Sequence, residues 1–181
     1  MMLNVMLDLE TYGTRPGCVL RSIGAVAFDP LGKITGAEFY RNIDYVSCLE
    51  AGLIVDTATK EWWSRQSREA EAALLIDPRA LSEVVKEFHQ WFLWEARAEQ
   101  IWSHGANFDE PLWLAAAHAV GTMVPWKFWN VRCTRTLFEI VQFDPRSILR
   151  QGMHHNALDD AKHQARCVQF AMQNIRTKAP A

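Results

Sequence analysis

The sequence predicts an α/β fold with a mixed central sheet, three antiparallel strands followed by parallel strands, flanked by helices. Three observations carry this reading. Apolar segments near the start are separated by turn-forming runs, strand and helix patterns alternate beyond residue 100, and an amphipathic helix closes the chain. Residues 2–9 (MLNVMLDL) are apolar and lack a helix cap. Residues 22–29 (SIGAVAFD) follow Thr14-Arg15-Pro16-Gly17, and residues 35–42 follow Asp29-Pro30-Leu31-Gly32. Proline and glycine in both connections favour turns, so these segments read as hairpin-connected strands. Asp56 and Thr57 offer N-cap chemistry before ATKEWWSRQS, and Pro78 precedes an amphipathic stretch from about residue 80 to 97. IWSHG (101–105) then reads as a short strand and about 110–119 as a helix with Pro111 in its first turn. A strand is expected around Phe128 to Val131, and the last helix near Asn156.

A chain of 181 residues fits one domain, 1–181, able to bury a core without staples. At 49% hydrophobic and 22% charged residues it lies outside the disordered, collagen-like and acidic-tail classes. Its apolar runs fall short of the roughly 18 residues of a membrane span, and the N-terminus lacks the basic-then-apolar pattern of a secretory leader. The expectation is a cytoplasmic protein with no membrane partner. Cys18, Cys48, Cys133 and Cys167 form no C-x-x-C pair, so buried thiols are expected rather than zinc or redox chemistry. Residues 127–181 carry nine basic and four acidic groups, a local +5 that suits a phosphate-facing surface.

Chemistry enters at Asp8-Leu9-Glu10-Thr11. Side chains alternate along a strand, so Asp8 and Glu10 share one face and Leu7 and Leu9 the other. Two acids on one buried face need a cation, because their mutual repulsion and desolvation otherwise favour the protonated forms. Taken alone, the pair also reads as a strand end with two solvated acids. Asp109, after IWSHG, equally suits a helix N-cap, and the acids of His154-His155-Asn156-Ala157-Leu158-Asp159-Asp160 equally suit the first turn of a helix.

In this order the three elements resemble the DEDDh family of 3′-to-5′ exonucleases, which have a ribonuclease H-like fold. Ser22-Ile23-Gly24-Ala25 and Cys133-Thr134-Arg135-Thr136-Leu137 support the resemblance, which spans nearly the whole chain. The sequence is most similar to the phage and bacterial exoribonuclease and exonuclease branch with a Trp-Trp pair, here Trp62-Trp63, and a W-x-x-G-x-x-F-D motif, here Trp102 to Asp109. Gly105 departs from the asparagine that many members carry after the histidine. Both His154 with Asp159 and His155 with Asp160 satisfy the H-x-x-x-x-D spacing. The apolar stripe Leu158, Ala161, Ala165, Val168 and Met172 lies nearer Asp160, which favours Asp160 as ligand and His155 as base. Asp159 is then a solvated first-turn acid, with His154 the alternative imidazole.

The resemblance implies that Asp8, Glu10, Asp109 and Asp160 hold two ions of Mg²⁺ or Mn²⁺, hard cations suited to oxygen ligands. Asp8, Glu10 and Asp160 would hold the ion carrying the attacking water, and Asp8 and Asp109 the ion near the leaving oxygen, with His155 taking the water's proton. The 3′-terminal nucleotide is expected beside the first motif, with Thr11, Tyr12, Trp63 and Asn107 as substrate contacts. Adjacent helical positions point about 100° apart, so at most one of Trp62 and Trp63 faces the site. Arg132, Arg135, Arg146 and Arg150 are expected phosphate contacts in the basic third. The implied activity is hydrolysis of single-stranded DNA or RNA 3′ ends to nucleoside monophosphates, with homodimers common among relatives. An oligoribonuclease-like phosphodiesterase acting on short RNA, and an inactive end-binding module, are the competing readings.

Overall fold

The computed structural model describes residues 3–32, 34–105 and 107–178. Strands β1 (Leu3–Thr11), β2 (Leu20–Phe28) and β3 (Ile34–Asn42) pair antiparallel, while β4 (Ala98–Ser103) and β5 (Val131–Cys133) add in parallel on the other side of β1. The sheet order is β3-β2-β1-β4-β5, which puts β1 at the centre. Helices α1 (Tyr45–Glu50), α2 (Thr57–Trp63), α3 (Arg68–Ala73) and α4 (Leu81–Gln90) separate β3 from β4. Helix α5 (Asp109–Ala119) joins β4 to β5, and α6 (Thr134–Ile140) and α7 (Ala157–Lys178) follow.

The mixed sheet and the flanking helices match the expectation from sequence. Asp56 caps α2 by accepting from the backbone N–H groups of Ala58 and Thr59, at 2.9 and 3.3 Å. Asn156 does the same for α7 through Leu158 and Asp159, at 3.1 Å each. The amphipathic stretch forms α4 and continues into a wider π turn at Trp91–Glu95. Two assignments need correction. Phe128–Asn130 is a 3-10 turn, and the strand begins only at Val131, because pairing with β4 starts at Ile101 opposite Val131. Helices α1, α3 and α6 are six or seven residues long, too short to show a full apolar period. Asp44 and Ser67 cap the first two, so these end signals were the available clue.

Alternation along β1 sorts its side chains into two layers. Val5, Leu7 and Leu9 join Ile23, Ala25 and Ala27 in a core closed by Phe88 of α4 and Trp113 of α5. Met6 faces the opposite layer with Val26, Phe28 and Trp102, closed by Phe138 of α6 and Ala161, Ala165 and Val168 of α7. Asp8 and Glu10 continue the Met6 side, so the two acids emerge where α7 begins. Gly24, paired with Asp8 across the strands, makes that approach possible. A Cβ at Gly24 would fall 2.1 Å from the backbone of Ala157 and Leu158. The first turn of α7 therefore rests directly on β2, which brings Asp160 over the end of β1.

The Gly24→Ala protein is expected to lose about 1–3 kcal/mol or more of stability, the range for forcing a methyl into a filled core. A lowered thermal midpoint in the purified variant is the measurement. A wild-type midpoint would show that α7 does not sit this close.

Candidate active site

Strand ends and helix starts gather the acids. Glu10, Asp109 and Asp160 are all buried and Asp8 is half-buried. Beyond Met6, β1 runs past its pairing with β4, which frees the Leu9 N–H on that side. The Asp109 carboxylate accepts this N–H at 3.1 Å. Asp109 is thus the first residue of α5 rather than its cap: the cap position is Phe108, and the carboxylate reaches across to β1. Glu10, His155 and Asp160 present ligand atoms within 4.8 Å of one another. Asp8 accepts a 2.6 Å hydrogen bond from the Gln164 side-chain amide, and Arg150 forms an ion pair with Asp160.

Electrostatics follow from this crowding. Burial, then Asp109 and Glu10, push the Asp8 carboxyl well above the usual carboxylate range, against the Gln164 bond and Arg150. Burial and Asp109 raise Glu10 to about 8, opposed by Arg21 and Arg150. Burial raises Asp109 to about 7, held back by the Leu9 N–H and neighbouring amides. His155 moves the other way, below its ordinary value, through burial, His154 and Arg150. Asp8, Glu10 and Asp109, which resist joint ionisation, together with the buried Asp160 beside Glu10, make an oxygen donor set that suits a hard divalent cation. The residues present fit such an ion.

The doubled histidine and aspartate are separated in space. Asp159 accepts from the Met153 N–H at 2.8 Å and is half-buried against the preceding loop, so it braces that loop rather than standing in solvent. His154 is exposed and lines a cavity on the far side of α7's first turn. His155, with φ of +61°, holds its ring against Trp62 and Trp63, with centroids 5.1 and 5.7 Å away.

A cavity of about 500 Å³ opens beside Glu10, walled by Leu9, Thr11, Trp62 and Phe108. Of the substrate contacts expected from sequence, Thr11 lies on this wall. Trp63 reaches it only marginally, being 2% exposed, with its indole N–H donated to the Thr11 carbonyl at 2.8 Å. Trp62, 39% exposed, offers the ring surface instead. Tyr12 is displaced from the cavity: the register shifts after Glu10, and its ring packs edge-on to Tyr45 and under Arg21 in a neighbouring cavity. Asn107 is exposed in the loop, and Phe108 supplies the wall. Gly105, the departure noted in the sequence, has φ of +141°, where side chains are rarely accommodated, and a Cβ there would lie 3.8 Å from the Arg135 guanidinium.

Three contributors were missed or misread in the sequence. Gln164 was not among the expected contacts, and Arg150, expected at a phosphate, pairs with Asp160. Arg21 has its guanidinium 4.4 Å from the ring centroids of both Tyr12 and Trp63, with a two-point ion pair to Glu71 at 2.7 and 3.0 Å. It ties α3 and α2 to the end of β1, and its signal, an arginine in an apolar strand, was present in LRSIGAVAF.

A central strand ending in two acids, a third acid opening the helix after β4 and a histidine-aspartate pair at the last helix sit on a fold shared with 3′-5′ exonucleases. The chain belongs to the family described as the 3′-5′ exoribonuclease Rv2179c-like domain, whose model matches residues 3–172. No curated protein sequence matches it. Among solved structures it is similar to E. coli exonuclease I in complex with a dT13 oligonucleotide, with a TM-score of 0.70 at 12% identity, over 98% of this chain and 42% of that one. The zinc-bound exonuclease I–ssDNA complex from E. coli gives 0.62 at 13%, over 99% and 42%. The nuclease domain of 3′hExo, a DEDDh member bound to rAMP, gives 0.58 at 13%, over 94% of this chain and 92% of that one. The chain thus spans less than half of exonuclease I. Among the described residues, no helix is long and apolar enough to cross a membrane.

The raised carboxyls set a pH dependence for the metal-free fold. They keep protons that the unfolded chain releases near pH 4–4.5, so stability falls as pH rises from there through about 7 and 8. A divalent cation held by these acids would replace those protons. Thermal midpoints in chelator should drop between about pH 6 and pH 8, and the increment from added Mg²⁺ or Mn²⁺ should be larger at the higher pH. An increment independent of pH would contradict the clustered acids.

Proposed function

We propose that the protein is a single catalytic domain that removes nucleoside 5′-monophosphates from the 3′ ends of single-stranded nucleic acid, with RNA the first substrate to test. The observation that carries this reading is the approach of Glu10, His155 and Asp160 to within 4.8 Å of one another, with Asp8 and Asp109 near enough to Glu10 for their charges to interact, beside a cavity able to hold one nucleoside. The family's description as an exoribonuclease domain supports RNA, and oligonucleotide-bound and rAMP-bound neighbours support a nucleic-acid substrate.

Asp8, Glu10, Asp109 and Asp160 would hold one or two divalent ions, Mg²⁺ or Mn²⁺, which supply positive charge to the phosphate and acidify a bound water. The terminal nucleoside enters the cavity by Leu9, Thr11 and Phe108, with the exposed face of Trp62 available to the base; such stacking contributes about 1–3 kcal/mol. His155, neutral at and above neutrality because its pKa is lowered, takes a proton from the attacking water. The new bond joins the water oxygen to phosphorus. The bond from phosphorus to the 3′-oxygen of the preceding nucleotide breaks, and that oxygen leaves as a hydroxyl after gaining a proton. Gln164 fixes the Asp8 carboxylate, and Trp62 and Trp63 fix the imidazole.

End-labelled single-stranded and duplex RNA and DNA, with Mg²⁺ or Mn²⁺, test the proposal: a ladder shortening from the 3′ end is expected, and cleavage confined to the interior would refute it. Asp8→Ala and Asp160→Ala should abolish both hydrolysis and metal-dependent thermal stabilisation. His155→Ala should keep the stabilisation and lose on the order of 10²–10⁴ in turnover, the usual contribution of a general base. Loss of metal stabilisation in His155→Ala would make the imidazole a ligand instead.

A further inference from the structure

Beyond the four acids, His163 and Cys167 stand one helical turn apart on the same face of α7. The His163 Nε2 and the Cys167 Sγ are 3.6 Å apart. A tetrahedral zinc ion, with bonds of about 2.0–2.1 Å to nitrogen and about 2.3 Å to sulfur, holds such a pair about 3.5–3.6 Å apart. The two side chains are therefore already spaced as neighbouring ligands of one ion. Cysteine spacing alone does not reveal this, because the partner is a histidine.

Neither group is well satisfied by the protein. The buried Cys167 thiol has the His163 ring at 3.6 Å and the Pro145 carbonyl at 3.8 Å, and a thiol is a weak donor with one proton to share between them. The His163 Nδ1 is buried with no partner among the described residues, so the thiol is the polar contact that holds the ring. Burial, Arg150, Arg166 and His154 lower the His163 pKa, which keeps the imidazole in the neutral form that binds metal. Both side chains open onto a cavity of about 430 Å³ between α6, the connection around residues 145–154, and α7. His154 stands exposed on that connection, lines the same cavity and is near enough to His163 for their charges to interact.

We propose that Cys167, His163 and His154 form a site for Zn²⁺, with water in the fourth position, separate from the oxygen site of the acids. Nitrogen and sulfur donors select a borderline-soft ion, whereas Mg²⁺ and Mn²⁺ take oxygen. On binding, a bond forms between sulfur and zinc, and the thiol proton passes to solvent. Burial pushes this thiol up to about 11, while Arg150 and Arg166 pull the other way and so stabilise the thiolate. Gln164, the residue after His163, reaches Asp8 at 2.6 Å. The ion would brace the turn of α7 that carries Gln164 and tie it to the connection. None of this depends on the exonuclease reading.

Co²⁺ is the spectroscopic substitute. Titrated into the reduced full chain, it should give thiolate-to-cobalt charge-transfer absorption in the near ultraviolet, displaced by Zn²⁺ and unaffected by excess Mg²⁺. Cys167→Ser and His163→Ala should each abolish that band, with Cys167→Ala as the second variant if serine disturbs the packing. Asp8→Ala should keep it. His154→Ala should weaken Zn²⁺ binding on the order of tenfold or more, at least what losing an outer-shell partner costs a metal site. X-ray absorption at the zinc edge should show one sulfur at about 2.3 Å beside nitrogen at about 2.0 Å. A wild-type protein without the band, a band that survives Cys167→Ser, or a zinc shell of nitrogen and oxygen alone would each overturn the site. Unchanged Zn²⁺ affinity in His154→Ala would overturn the three-residue ligand set.

Discussion

The arrangement depends on confining like charges. Three carboxylates from β1 and α5 are held where burial and mutual repulsion favour their protonated forms, and the fold supplies what keeps them beside Asp160 of α7. Two apolar layers clamp β1, so its acidic end has no freedom to swing into water. The Leu9 N–H, the Gln164 amide and the Arg150 guanidinium each address one acid. Repulsion left uncompensated by these groups would supply affinity for a cation, in the way that a strained site gains from the ligand that relieves it.

Around that centre the chain builds two walls of different character. On the α2 side the wall is aromatic and rigid: Arg21 lies against Tyr12 and Trp63, Glu71 fixes Arg21 from α3, and Trp63 is tied to the Thr11 carbonyl. Trp62 and Trp63 then meet the His155 ring edge-on, so the imidazole inherits its orientation from the strand end through the tryptophans. On the α7 side the wall is polar and more open, with His104, Arg150 and His163 half-buried and Arg146 and His154 exposed in place of stacked rings.

Much of this was legible because periodicity is a strong signal. The alternation through Asp8 and Glu10 put both acids on one face, and the 3.6-residue stripe of α7 separated Asp160 from Asp159; both placements appear in the structure. Other features depend on contacts between residues distant in sequence, which local pattern does not encode. Nothing near Asp109 indicates that β1 outruns β4 and leaves the Leu9 N–H open, and nothing near Tyr12 indicates the register shift that turns it to Arg21. The choice between Trp62 and Trp63 was undecidable from helix phase alone, because it rests on the Thr11 carbonyl 52 residues away. The short helices escaped for a different reason: six or seven residues do not complete two turns, and their stability comes from packing rather than intrinsic propensity.

His155 sits at φ +61°, a left-handed conformation that a non-glycine residue adopts at an expense of about 1 kcal/mol or more. Glycine would relax that backbone, and asparagine would tolerate it, yet neither has an imidazole. Evolution toward a sturdier molecule and evolution toward a faster one therefore pull this single position in opposite directions. A screen that selects on melting temperature alone would be drawn to erase the imidazole proposed above as the base.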